Sequence, residues 1–252
     1  MQFRPARWPL AAAAVLAACN SGPSNDIDTL SLDVAAAAGE TAAQNVEMMR
    51  GPGGPHGFGV RFDPASFDCE PRTREGLTVT LTCSYADAAG ARQSAYDANT
   101  TATVTIALAI KGSFDRGPMT GKVDRTSSLV VTGLAGAETK MTWNGTDAGT
   151  MSHSHGADDN GKARSYQMSY TGTTINVVIP VPRTETSWPL SGTTTQQATI
   201  KFTGGKKDGQ TETRTVTTSY NGTQFITVTV NGETFTVDLA KRGRAERGRG
   251  KP

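Results

Sequence analysis

From about residue 58 onward, apolar residues recur at every second position. Ala102, Val104, Ile106, Leu108 and Ile110 alternate with Thr103, Thr105, Ala107 and Ala109. Leu77, Val79, Leu81, Cys83 and Tyr85 repeat the arrangement, as do Ile175, Val177, Ile179 and Val181, and then Ile226, Val228 and Val230. A period of two predicts strands with one apolar, buried face and one threonine-rich, wetter face. No sustained 3.6-residue apolar period occurs between residues 60 and 240. Asn-Gly pairs at 144–145, 160–161, 221–222 and 231–232, and Asp-Gly at 208–209, accept the positive φ angles of tight hairpin turns. Two-residue loops at 221–222 and 231–232 would set Ile226 opposite Val237 and Val228 opposite Phe235, so turn chemistry and apolar pattern agree. The prediction is an all-β fold, an antiparallel meander of about twelve strands. A sandwich, a half-open barrel and one long twisted sheet all remain open. Thr, Ser and charge on the alternate positions, with no aromatic girdles, argue against a membrane-spanning barrel.

Residues before 58 follow a different pattern. Asn20 to Asp26 reads as a flexible spacer. A short helix over 33–50 is predicted, with Asp33 as its cap, Arg50 near its end and Gly51 beyond. Gly39 and an apolar face made mostly of alanine make that helix marginal. Gly51-Pro-Gly-Gly-Pro-His-Gly-Phe-Gly59 suits neither helix nor sheet interior. The chain divides into 1–18, a tether over 19–57, a β domain over 58–240 and a basic tail over 241–252. Within the β domain, Thr142-Trp-Asn-Gly-Thr146, Ser169-Tyr-Thr-Gly-Thr173 and Ser219-Tyr-Asn-Gly-Thr223 share one form. Each is expected to end a strand, turn, and start the next.

The first twenty residues, MQFRPARWPLAAAAVLAACN, combine a basic start at Arg4 and Arg7 with a short apolar run from Pro9 to Ala18. Leu16-Ala17-Ala18-Cys19 then resembles the lipobox of bacterial lipoproteins. The resemblance implies that residues 1–18 are a signal peptide, and that Cys19 carries acyl chains such as palmitate and becomes the mature N-terminus. Each buried acyl CH₂ contributes about 0.8 kcal/mol, so several long chains anchor a protein firmly. Asn20 is not the Asp that typically holds such proteins at the inner membrane, so the resemblance implies the outer membrane. With Cys19 given to the lipid, export to an oxidising compartment makes a Cys69–Cys83 disulfide the expectation. The spacing does not fit a redox-active C-x-x-C pair.

Composition then narrows the function. The chain has 252 residues, a formal charge of +2 and 6% aromatic residues, too few for a protein built on base stacking. Without residues 1–18, the tail from Lys241 carries a net +5 and residues 19–240 a net −5. In a cytoplasmic protein such a tail would suggest RNA; behind an export signal no nucleic acid is expected. Anionic lipid head groups or envelope polymers are the expected partners of a tail read as disordered. No nucleophile elbow, zinc-protease motif or phosphate-binding loop occurs, so the reading is a protein that is not an enzyme and holds no cofactor. The one suggestive cluster is Met151-Ser-His153-Ser-His155. On a strand Met151, His153 and His155 share a face, and two imidazoles with a thioether suit copper or, with a carboxylate, zinc. A solvent-exposed hairpin arm explains the same residues.

The repeated S/T-x-N-G-T segments and the Asn231–Leu239 ending, NGETFTVDL, resemble all-β envelope lipoproteins. That resemblance implies no activity. The function expected is therefore a structural or interaction role at the cell envelope. The alternatives are a carrier or sensor of a hydrophobic ligand, with the 33–50 segment as a lid, and metal binding in the periplasm.

Overall fold

The computed structural model describes residues 29–50, 61–63, 66–69, 72–74, 76–116, 119–135, 139–155, 164–181, 184, 187–204, 208–241 and 244–247. Helix α1 spans Thr29–Arg50. Strands follow as β1 (Arg61–Asp63), β2 (Ser66–Asp68), β3 (Arg72–Arg74), β4 (Leu77–Asp87), β5 (Arg92–Gln93), β6 (Thr101–Arg116) and β7 (Met119–Thr132). They continue as β8 (Lys140–His155), β9 (Arg164–Pro180), β10 (Ser191–Thr203), β11 (Thr211–Ser219), β12 (Phe225–Val230) and β13 (Glu233–Asp238). A 3₁₀ turn at Leu239–Lys241 leads into β14 (Arg244–Arg247). β1 and β2 pair as a separate hairpin; the other strands form one open antiparallel sheet. Its order is β14-β13-β12-β11-β10-β9-β8-β7-β6-β4-β3, with β5 beside β4. The chain is all-β apart from α1, and from β6 to β14 every strand pairs with its chain neighbour, as a meander requires.

Period-two burial follows the sequence closely. β4 alternates buried Leu77, Val79 and Leu81 with exposed Thr78, Thr80 and Thr82. Val79, Leu81 and Cys83 lie opposite Ile110, Leu108 and Ile106, and Ile106 and Val104 lie opposite Leu129 and Val131. The apolar face therefore runs unbroken from strand to strand. At Asn231-Gly232 both φ angles are positive, 47° and 92°, as a tight two-residue turn demands. Ile226 faces Val237 and Val228 faces Phe235, the register predicted from the turn.

Two turn readings differ. Asn144-Gly145 lies inside β8, where the register to β9 shifts between Trp143 and Gly145. There Asn144 Oδ1 accepts a hydrogen bond from the Asn176 backbone N–H at 2.8 Å, so the amide pins a bulge rather than a turn. The bulge, with Asn176 at φ 50°, also shifts the alternation. Thr174 is buried, Ile175 is 49% exposed, and Val177 returns to the core. Asn221-Gly222 falls in a connection longer than two residues, since Ser219 already pairs with Thr227. The 160–161 pair lies outside the described residues. Nor do Trp143 and Tyr170 of the repeated segments end strands. Both sit inside long strands and point into the core.

The largest departure is α1. It begins at Thr29 rather than at 33, so Asp33 lies inside the helix and not at its N-cap position. Val34, Ala35, Ala37, Ala38, Ala42, Ala43, Val46 and Met49 are all buried and belong to the same core cluster as the sheet. At 100° per residue these positions cover roughly two-thirds of the circumference. α1 lies on β11, β12, β13, β14 and the 3₁₀ turn. Tertiary burial thus compensates for Gly39 and for an apolar face made of small side chains. Residues 29–50 belong to the folded domain and not to a tether. The tail reading needs a similar correction: Arg244–Arg247 forms β14, paired antiparallel with β13, so the sheet extends beyond residue 240. Among the described residues, no helix is long and apolar enough to cross a membrane.

Cys69 and Cys83 are joined, with Cα atoms 6.0 Å apart. The bridge fastens the chain after β2 to the centre of β4. Closing this loop stabilises by roughly 3 kcal/mol in the chain-entropy model. A Cys69→Ala/Cys83→Ala variant should lose about that much in urea unfolding; an unchanged midpoint would show that the bridge adds nothing.

Candidate functional site

Among the described residues, a buried charged pair interrupts the apolar face. On β7 the inward positions read Val123, Arg125, Ser127, Leu129, Val131. Register places Ser127 opposite Asp147, and Arg125 opposite Gly149. Asp147 is in turn opposite Gly172, and Gly149 opposite Tyr170. Arg125 and Asp147 pair at 3.4 Å, with their side chains only 3% and 4% exposed. Arg125 Nη2 also donates to Asn45 Oδ1 on α1 at 2.8 Å, and Gln196 Nε2 donates to Asp147 Oδ2 at 3.4 Å. Thr174 and Thr194 share a hydrogen bond at 3.3 Å nearby.

The glycines make this centre sterically feasible. A Cβ on Gly172 would collide with Asp147 Oδ1, and one on Gly149 would come within 3.1 Å of the Tyr170 hydroxyl. A buried ion pair gains little net stability, because desolvation offsets the Coulombic attraction. Removing one partner would strand the other, at a cost of about 3–5 kcal/mol.

Two tyrosines border it. Burial pushes Tyr170 up to about 12, against a smaller lowering by the Arg125 charge. Burial likewise pushes Tyr220 up to about 12, opposed by Thr194 and Arg125.

On the opposite face, β7 to β10 form a shallow groove of about 590 Å³. Its lining includes Thr126, Ser128, Thr146, Thr171, Thr173 and Thr195. Hydroxyls align across the strands: Ser128 faces Thr146, Thr146 faces Thr173, Thr173 faces Thr195, and Thr195 faces Thr217. These aligned side chains are uncharged hydroxyls. They offer hydrogen bonds but neither a nucleophile–base pair nor a metal-ligand set.

The sequence-derived candidates distribute as follows. Met151, His153 and His155 all lie on β8, facing Val123, Gly121 and Met119 in turn. Met151 is buried between Val123 and Met168 and serves the core. The side chains of His153 and His155 lie outside the described residues, as does Cys19. Among the described residues no three His, Cys, Asp or Glu side chains gather as a metal site. The Arg125–Asp147 centre was not singled out from the sequence. Its signal was a charge at an inward, period-two position between valines and leucines, visible once the strand is assigned. No protein-family model matches the chain, and neither does any curated protein or solved structure.

The raised tyrosines make stability pH-dependent. In the unfolded chain both phenols titrate near 10.0, and in the folded protein near 12. The stabilisation is complete below pH 10.0 and is lost as pH climbs towards 12, because the unfolded state gives up its protons first. Each tyrosine accounts for roughly 2–3 kcal/mol of that loss. Tyrosinate absorbance should show two late-titrating groups that vanish in Tyr170→Phe/Tyr220→Phe; two tyrosines titrating normally in the folded protein would contradict this.

Proposed function

We propose that the chain is a lipid-anchored cell-envelope protein with a non-enzymatic, interaction role, and that its β domain is a half-open barrel curled around its own N-terminal helix. Two contacts of α1 support the curl. The helix lies on β11 to β14, yet Asn45 reaches Arg125 on β7. In a flat sheet β7 and β12 stand about 24 Å apart, whereas a helix is only about 10 Å across. For a helix running along the strands, a bend in the sheet brings both within reach, and this supports the half-open barrel.

The functional reading rests on Leu16-Ala17-Ala18-Cys19, joined to the position at which folding begins. Because α1 starts at Thr29, only residues 20–28 separate the lipidated cysteine from the domain. That stretch spans at most about 35 Å, against well over 100 Å for a tether running to residue 57. The domain is therefore held close to the bilayer, and its outward, hydroxyl-rich face is the surface offered to partners. The basic residues from Lys241 onward, which include β14, favour anionic head groups or envelope polymers at that short range. The carrier alternative loses support, since α1 occupies the apolar face that a hydrophobic ligand would need. Met151, in the core, weakens the copper reading.

The test is metabolic labelling with palmitate. The wild-type protein should carry label and fractionate with the outer membrane, while Cys19→Ala should be unlabelled and soluble. Label-free wild-type protein would end the anchored reading.

A further inference from the structure

The face that α1 presents is built for closeness rather than for position. Ala35, Ala37, Ala38, Ala42 and Ala43 are buried along it. Alanines let a helix approach a sheet but form no large knobs, so packing knobs on α1 are few, with Val34, Val46 and Met49 as the larger buried side chains. A directional polar contact adds what these few knobs leave open. Asn45 is the α1 side chain whose hydrogen bond reaches the Arg125–Asp147 centre.

That centre also has unspent hydrogen-bonding capacity. Arg125 Nε and Nη1, Ser127 Oγ, Asp147 Oδ1 and the Tyr170 hydroxyl are all buried without a protein partner. Arg125, Ser127, Asp147 and Tyr170 are each more than nine-tenths buried. Polar atoms in such positions are nearly always satisfied, by ordered water where protein is lacking. The charge balance selects the class of ligand. Arg125 and Asp147 neutralise one another, so an added anion or cation would leave an uncompensated buried charge. A neutral molecule able both to donate and to accept answers the set of donors and the lone carboxylate oxygen.

We infer that Arg125, Asp147, Ser127 and Tyr170 form an internal water-binding site, closed by Asn45, and that this hydrated centre fixes the axial register of α1 on the sheet. Single buried polar groups that select one register over others are the best-attested use of such elements.

Two measurements test it on the whole mature chain. A crystal structure grown in bromide should show water within hydrogen-bonding distance of Arg125 Nε or Nη1 and of Asp147 Oδ1. A bromide peak there, or a dry centre in which those atoms find protein partners, would overturn the site. For the register, spin labels at Ala36 on α1 and Thr229 on β12 should give one narrow distance distribution in the parent protein. Asn45→Ala, which leaves the ion pair in place, should broaden it or displace it towards one helical turn, about 5.4 Å. Arg125→Met/Asp147→Leu, which removes both charges and so avoids a stranded one, should do the same. A distribution that stays narrow and unmoved in either folded variant would overturn the register role.

Discussion

The structure depends on covering one apolar sheet face. Strands β4 to β13 turn Val104, Ile106, Val131, Trp143, Val177, Ile200, Val228 and Phe235 to the same side, all almost fully buried. A single open sheet cannot bury such a face unaided. Here α1 supplies cover over β11 to β14. The helix supplies mostly alanine, so strands and helix come close and the larger side chains of the sheet fill the remaining volume. The hairpin turns and the disulfide act on a framework that this burial holds together.

Much of this could be read from the chain itself. Alternation of Val, Ile and Leu with Thr identified the strands, and Asn231-Gly232 fixed the register of Ile226 and Val228 against β13. The errors share a cause. Asn144-Gly145 is a turn signal locally, yet β8 continues through it because Asn144 bonds Asn176 on the adjacent strand. α1 looked marginal because its alanines and Gly39 favour no amphipathic pattern, and only the sheet makes their burial worthwhile. β14 looked like disordered basic tail because its pairing with β13 adds backbone bonds that side-chain composition does not announce. In each case a long-range partner decided the outcome. The same holds for the polar centre: Arg125, Asp147 and Asn45 are far apart in sequence, and their meeting is a consequence of strand order.

The functional consequence is one of distance. A domain that begins at Thr29 rather than after residue 57 sits on a short leash if Cys19 is lipidated. Its outward threonine rows and basic C-terminal residues then work at the membrane surface, where screening over about 8–10 Å still leaves short-range charge effective. The buried Arg125–Asp147 pair belongs to the architecture, since it faces α1 and not the exterior.

The central claim is that α1 is part of the core. Native-state hydrogen exchange on the full chain measures this directly. If the account is right, the backbone amides of α1 exchange only through global unfolding, with protection equal to that of β12 and β13. Amides of α1 that exchange at the rate of a free peptide, while those of β12 and β13 stay protected, would contradict it.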